Sequence, residues 1–229
     1  MGQCRRYTVQ KAKRGETPPV TGSDDPWHSA FWNGVAGLDI DSPVGGVPSH
    51  RPRATAKLRY DASCLYVIFR VEDRWVRAVE TRYQGRVWTD SCVEFFFTPG
   101  ENLGQGYFNI EVNCGGAALF MHRRERDLDV TAVNEADAQL MKIEHTMPAR
   151  VDPEIPYPLS WGIQYRVPFN ALRGYAPVVD PAPGVIWKAN FYKCGDETSH
   201  PHWLAWSPID LPRPDFHQKS YFGILEFKE

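Results

Sequence analysis

Residues 86–116 read RVWTDSCVEFFFTPGENLGQGYFNIEVNCGG, and this stretch decides the fold. It predicts two strands, 92–97 and 107–113, joined by a loop. Pro99 closes the first strand, and Gly100, Gly104 and Gly106 punctuate the connection. Side chains alternate between faces along a strand. Val93, Phe95 and Phe97 therefore share a core face, as do Phe108, Ile110 and Val112 on the next strand. The opposite faces carry Glu94, then Asn109, Glu111 and Asn113, with Trp88, Thr89 and Asp90 leading in. Carboxylates and amides on one side of a hairpin, with an indole beside them, suit a hydroxyl-rich ligand.

The same alternation extends outward. Residues 54–60 and 64–72 form a hairpin about the turn Asp61-Ala62-Ser63, and 73–90 reads as a surface connection. Further strands are expected near 6–12, 117–122, 139–147, 161–167, 185–194 and 221–227. The proline-rich run 148–158 cannot be an interior strand. Asp25-Pro26 starts a short helix whose Trp27 plugs the core, and 168–175 holds a single helical turn. Short strands, few helices and frequent Gly/Pro turns predict an all-β fold. The expectation is a single antiparallel β-sandwich, jelly-roll or immunoglobulin-like, with one or two short helices. Residues 1–22 form an N-terminal strand and linker, and 23–229 the domain.

A net charge of −2 argues against a nucleic-acid partner, and no apolar run approaches membrane-spanning length. The pairs Arg5-Arg6 and Arg123-Arg124 read as solvated surface. Five cysteines without CxxC spacing predict buried free thiols. The N-terminal stretch MGQCRRYTVQKAKRG lacks the apolar core of a signal peptide, so the cytoplasm is the default location unless a leader was removed.

Glu94, Asn109, Glu111, Asn113, Gln164, Arg166, Lys188 and Asn190 all alternate with core residues. On a shared sheet they would pave one wet face. Trp203 and Trp206 sit in the Pro-bounded HPHWLAWSPID, outside the expected core, with His200 beside them. Two indoles across a polar floor make a slot for a pyranose ring.

The order VWTDSCVEFFFTP, YFNIEVN, WGIQYRVPFNAL, HWLAWSPI and YFGILEF resembles the family 9 carbohydrate-binding modules, and LRYDASCLYVIFRVED is similar to that family's first hairpin. The resemblance runs from about Trp27 to Phe227. It implies a β-sandwich that binds mono-, di- or polysaccharide, particularly chain ends, in the service of xylan or cellulose breakdown. It implies that Trp88 is one wall, Glu94 a hydroxyl acceptor, Trp203 or Trp206 the other wall, and Asn113 a floor residue. The candidate binding set is Trp88, Asp90, Glu94, Asn109, Glu111, Asn113, Arg166, His200, Trp203 and Trp206. Calcium is implied as well, without ligands assigned residue by residue. Asp39, Asp41 and Ser42 offer oxygens of the right kind, but the twelve-residue EF-hand loop is absent.

Two other classes fit parts of the sequence. Glu94 and Glu111 could act as the carboxyl pair of a glycoside hydrolase, which needs a separation of about 5–9 Å. His200 and His202, with Cys194, His217 and Met121-His122, could bind haem or a metal, although no carboxylate stands at ligand spacing.

Overall fold

The computed structural model describes residues 4–19 and 26–229. In chain order the strands are β1 (Arg6–Lys11), β2 (Leu38–Ile40), β3 (Ser42–Pro43), β4 (Arg53–Tyr60), β5 (Cys64–Asp73), β6 (Val76–Ala78), β7 (Cys92–Thr98) and β8 (Tyr107–Asn113). They continue with β9 (Ala118–Arg123), β10 (Thr131–Ala132), β11 (Glu144–His145), β12 (Val151–Ile155), β13 (Leu159–Pro168), β14 (Ile186–Cys194), β15 (Trp203–Ala205) and β16 (Gly223–Lys228). Two short helices, α1 (Glu135–Gln139) and α2 (Phe169–Leu172), interrupt them.

One long sheet runs β10-β9-β8-β7-β14-β16-β1-β4-β5-β13-β11 and curls so that its halves face each other as a β-sandwich. The alternation of β7 and β8 explains the closure. Phe95, Phe97, Phe108 and Ile110 enter one core with Val67, Phe69, Ile163 and Val167 of the other half. Phe95 stacks on Phe191 at 4.6 Å, and Phe191 meets Phe69 across the sandwich at 6.1 Å. Each such side chain contributes about 1.5–3 kcal/mol by burial. Pairing is antiparallel except at β1, which runs parallel to both β16 and β4 and so joins the two halves. The N-terminal strand is thus a central part of the sandwich.

Several local expectations are corrected. The connection 73–90 contains β6, which pairs with β12 from the proline-rich run as a separate two-stranded ribbon. An isolated ribbon tolerates proline where an interior strand cannot. Residues 139–147 are mostly not strand: Asn134 caps α1 by accepting the Asp137 N–H at 2.9 Å, and only β11 pairs with β13. Asp25 lies outside the described residues, and Pro26–His28 forms a single 3₁₀ turn. The core plug of this segment is Trp32, fully buried with its Nε1 donating to Gln164 Oε1 at 2.7 Å, while Trp27 is half-buried beside it.

The largest correction concerns the polar face. Glu94, Asn109, Glu111 and Asn113 are not solvated; every residue of β7 and β8 is buried. Phe96, Tyr107 and Tyr192 alternate into that same outer face and form a second apolar cluster with Ile209, Phe216 and Phe222. The segment after β15 is drawn down over the sheet by this cluster. Gln164 and Arg166, by contrast, belong to β13 in the other half.

Candidate functional site

Where the covering segment does not seal the outer face, a cavity of about 420 Å³ remains. Its floor is built by strand alternation. Glu94 on β7 stands opposite Glu111 on β8, and Glu111 stands opposite Leu119 on β9. Met121 and Arg123 follow on β9, and Cys194 completes the floor from β14. Trp88, in the turn before β7, and Trp203, at the start of β15, line the cavity and are half-buried. Asp196 ties the two together. Its N–H donates to the Trp88 carbonyl at 3.2 Å, and its Oδ1 accepts the Trp203 indole N–H at 2.8 Å.

The carboxyls here are unusual. Burial, with Cys194 and Glu111 alongside, holds Glu94 well above the ordinary carboxylate range, and Glu94 Oε1 accepts the Cys194 thiol at 3.0 Å. Burial lifts Glu111 to about 7 despite the Asn109 amide that donates to it at 2.8 Å. Burial also lifts Asp196 to about 6 against the Trp203 hydrogen bond. A neutral carboxyl both donates and accepts, as a sugar hydroxyl does. Arg123 adds a fixed cation: its Nε donates to Asn109 Oδ1 at 3.0 Å and its Nη1 to the Arg126 carbonyl at 2.6 Å.

Of the candidate residues read from the sequence, Trp88, Glu94, Glu111 and Trp203 meet at this cavity. Asn109 stands behind it, orienting Glu111 and Arg123. Asp90 and Asn113 are fully buried and engaged elsewhere: Asn113 Nδ2 donates to the Glu80 carbonyl and to Asp90 Oδ2, and its Oδ1 accepts the Ala117 N–H. Arg166 lies on β13 and donates to the Leu140 carbonyl at 3.1 Å. Trp206 belongs to the main core, edge-on to Phe191 at 5.7 Å. It packs so closely over Gly223 that a Cβ there would come within 2.5 Å of its ring. Pairing of β15 with β14, continued by the Trp206 N–H donating to the Phe191 carbonyl at 2.8 Å, carries Trp206 inward from the middle of the stretch. Asp39 and Asp41 sit apart from the cavity, where Arg5 Nη1 donates to the Asp39 carbonyl and to Asp41 Oδ1.

Sequence reading set Met121, Cys194 and His217 among haem or metal candidates, took Arg123 for solvated surface and passed over Asp196, yet all five line the cavity. Alternation along β9 and β14 would have found three of them. Arg123 reads as solvated surface beside Arg124, yet it is half-buried and engaged while Arg124 is exposed.

The profile of carbohydrate-binding family 9 matches residues 40–227. The chain belongs to carbohydrate-binding family 9. A proposed carbohydrate-binding protein from Bacteroides uniformis is 28% identical and superposes with a TM-score of 0.85, over 98% of this chain and 100% of that one. A family 9 module from Caldicellulosiruptor kristjanssonii, solved with glucose, superposes with a TM-score of 0.63 at 14% identity, over 98% of this chain and 96% of that one. A family 9 module from that organism solved with cellotriose gives 0.63 at 15%, over 98% and 94%. At these identities the two complexes show the shared fold alone. No curated protein matches the chain.

In this family 9 domain His50, His200 and His202 gather, with the His50 ring 5.3 Å from that of His202 and 6.5 Å from that of His200, while His122 and His217 lie elsewhere. His217 Nδ1 is 2.8 Å from the Tyr107 hydroxyl beside the cavity, and His122 Nε2 is 3.2 Å from the Gln105 carbonyl. His200 stacks on Trp75 at 3.6 Å, away from the cavity. His202 is buried: its Nδ1 donates to the His200 carbonyl at 2.9 Å, and its Nε2 accepts from Lys193 Nζ at 2.7 Å. Lys193 also pairs with Asp73 at 3.3 Å, and His50 meets Asp73 at 2.7 Å. Burial alone would raise Asp73, but the Lys193 charge and the His50 bond outweigh it and hold the carboxyl below its usual range. Burial and the facing Lys193 push His202 down to about 3, against Asp73.

That depression makes a stability prediction. Unfolded, His202 takes up a proton near pH 6.5; folded, it does so only near about 3. The unfolded chain binds more protons in between, so stability falls as pH falls through this window. Urea midpoints of the wild type should drop more steeply from pH 6.5 to 4.5 than those of His202→Gln. Parallel curves would contradict the buried neutral imidazole.

Proposed function

We propose that the cavity holds a pyranose ring between Trp88 and Trp203, over Glu94 and Glu111, as a non-catalytic binding site for mono- and oligosaccharides. The supporting observation is the juxtaposition itself. Two half-buried indoles, strapped by one aspartate, border a floor of near-neutral carboxyls and a fixed guanidinium. Indole faces cover the C–H faces of a sugar, while the carboxyls and Arg123 meet its hydroxyls. The cavity falls in the size range of small-ligand pockets, roughly 300–1,000 Å³. Each hydroxyl bond adds only about 1 kcal/mol net, so affinity should be modest. Glucose and cellotriose, bound by Caldicellulosiruptor family 9 modules, name the class to try first. A role in polysaccharide degradation would follow if xylo- or cello-oligosaccharides bind best.

The test is a tryptophan fluorescence titration with glucose, xylose, cellobiose, xylobiose and cellotriose. A saturable shift for at least one sugar is expected, and no response to any would remove the proposal. The register pair Glu94–Glu111 also raises a hydrolytic reading, because burial holds the Glu94 carboxyl well above its ordinary range and lifts Glu111 to about 7. The two readings part on turnover. Binding predicts that cellotriose and xylobiose are recovered intact after prolonged incubation. Release of reducing sugar that stops in Glu94→Gln would establish a hydrolase instead.

A further inference from the structure

Below the cavity floor lies a group of soft ligands. Cys92 and Cys194 stand directly opposite each other on β7 and β14, and Glu94 lies two residues along β7 on the same face. One ligand atom from each, the two Sγ atoms and a carboxylate oxygen, lies within 4.8 Å of the other two. Among the described residues no other three His, Cys, Asp or Glu side chains gather this closely.

We propose that Cys92, Cys194 and Glu94 bind one thiophilic divalent cation of the zinc class. A tetrahedral ion with bonds of about 2.3 Å to sulfur and 2.1 Å to oxygen sets its ligand atoms roughly 3.5–3.8 Å apart. The widest separation in the trio, at most 4.8 Å, has to close by about 1 Å or less, and the 3.0 Å Cys194–Glu94 contact has to open by about 0.6 Å, both within the reach of side-chain rotation. The Cys194 thiol already points at Glu94 Oε1, 3.0 Å away, so a proton sits where the cation would bridge the two. Glu94 and Cys194 both reach the cavity, which gives the ion a path from solvent and leaves its fourth position open to water. Binding releases the two thiol protons, and the proton of the neutral Glu94 carboxyl, to the solvent that reaches the cavity. Three protein ligands and one open position distinguish this arrangement from a closed structural zinc site. Calcium would be a poor occupant, because it takes six to eight oxygens and the site offers two sulfurs. If the cavity is the sugar site proposed above, an ion on Glu94 competes with a sugar hydroxyl for the same carboxyl.

The experiment is a cobalt(II) titration of the reduced full chain without sugar. Thiolate-to-cobalt absorption in the near ultraviolet and tetrahedral bands in the visible should saturate at one equivalent and bleach on adding zinc. Cys4→Ser, at the exposed cysteine, should leave them unchanged. Cys92→Ser and Cys194→Ser should each weaken binding at least tenfold. Absent bands, or bands retained in both variants, would overturn the site. Should either variant fail to fold, X-ray absorption of the zinc-loaded wild type decides: two sulfur neighbours support the site, and a shell without sulfur overturns it. Because no sugar is present, a failed sugar titration leaves this result untouched.

Discussion

Trp88→Ala is expected to lower saccharide affinity at least about thirtyfold while leaving the domain folded. Central aromatic anchors typically cost 2 kcal/mol or more when truncated, and about 1.4 kcal/mol is tenfold. Trp88 has the position for such a role. It is half-buried, lines the cavity, and sits in the turn before β7 rather than in the sheet. Its backbone carbonyl accepts the Asp196 N–H, and alanine keeps that bond. The ring also packs against the second apolar cluster, so some stability should go, on the order of 1 kcal/mol. Calorimetric titration measures the first effect and urea unfolding the second. A variant that binds normally, or that no longer folds, would show that Trp88 is packing.

Two residues on, the expected effect is of the opposite kind. Asp90→Ala should cost about 3–5 kcal/mol of stability, the range for removing one partner of a buried ion pair. Asp90 is fully buried, and its Oδ2 accepts the N–H groups of Val79 and Glu80 and the Asn113 amide, each at 2.9 Å. Arg77 Nε lies 3.1 Å from Oδ1, a charge contact outside good hydrogen-bond geometry. Alanine would leave the Val79 and Glu80 N–H groups without this acceptor and would take one of two acceptors from Asn113 and the buried countercharge from Arg77. Urea unfolding should show the loss, while sugar affinity per folded molecule stays near wild type. Near-normal stability would contradict this account of Asp90.

The contrast between these neighbours shows what the sequence could carry. The hairpin at β7 and β8 was legible because Phe95, Phe97, Phe108 and Ile110 alternate without a break. The curl of the sheet was less so, since the parallel pairing of β1 with β16 joins residues 218 apart, as Arg6 to Ile224. Alternation also says which residues share a face, but not whether that face is wet. Asp90, Asn109 and Asn113 look like ligand-binding groups in a string of letters. The fold makes them buried connectors, Asn109 between Glu111 and Arg123, and Asp90 and Asn113 among Val79, Glu80 and Ala117. Trp203 and Trp206 are the same residue type three apart, and pairing of β15 with β14 sends the second into the core. Asp196 escaped notice because its role, linking two indoles, depends on a turn that only the fold closes.

The most direct test of the central claim is a crystal structure of the domain soaked with glucose or cellotriose. The account predicts one sugar ring in the cavity between Trp88 and Trp203, with hydroxyls within hydrogen-bond distance of Glu94 and Arg123. A sugar bound elsewhere on the surface, with this cavity holding only water, would contradict it.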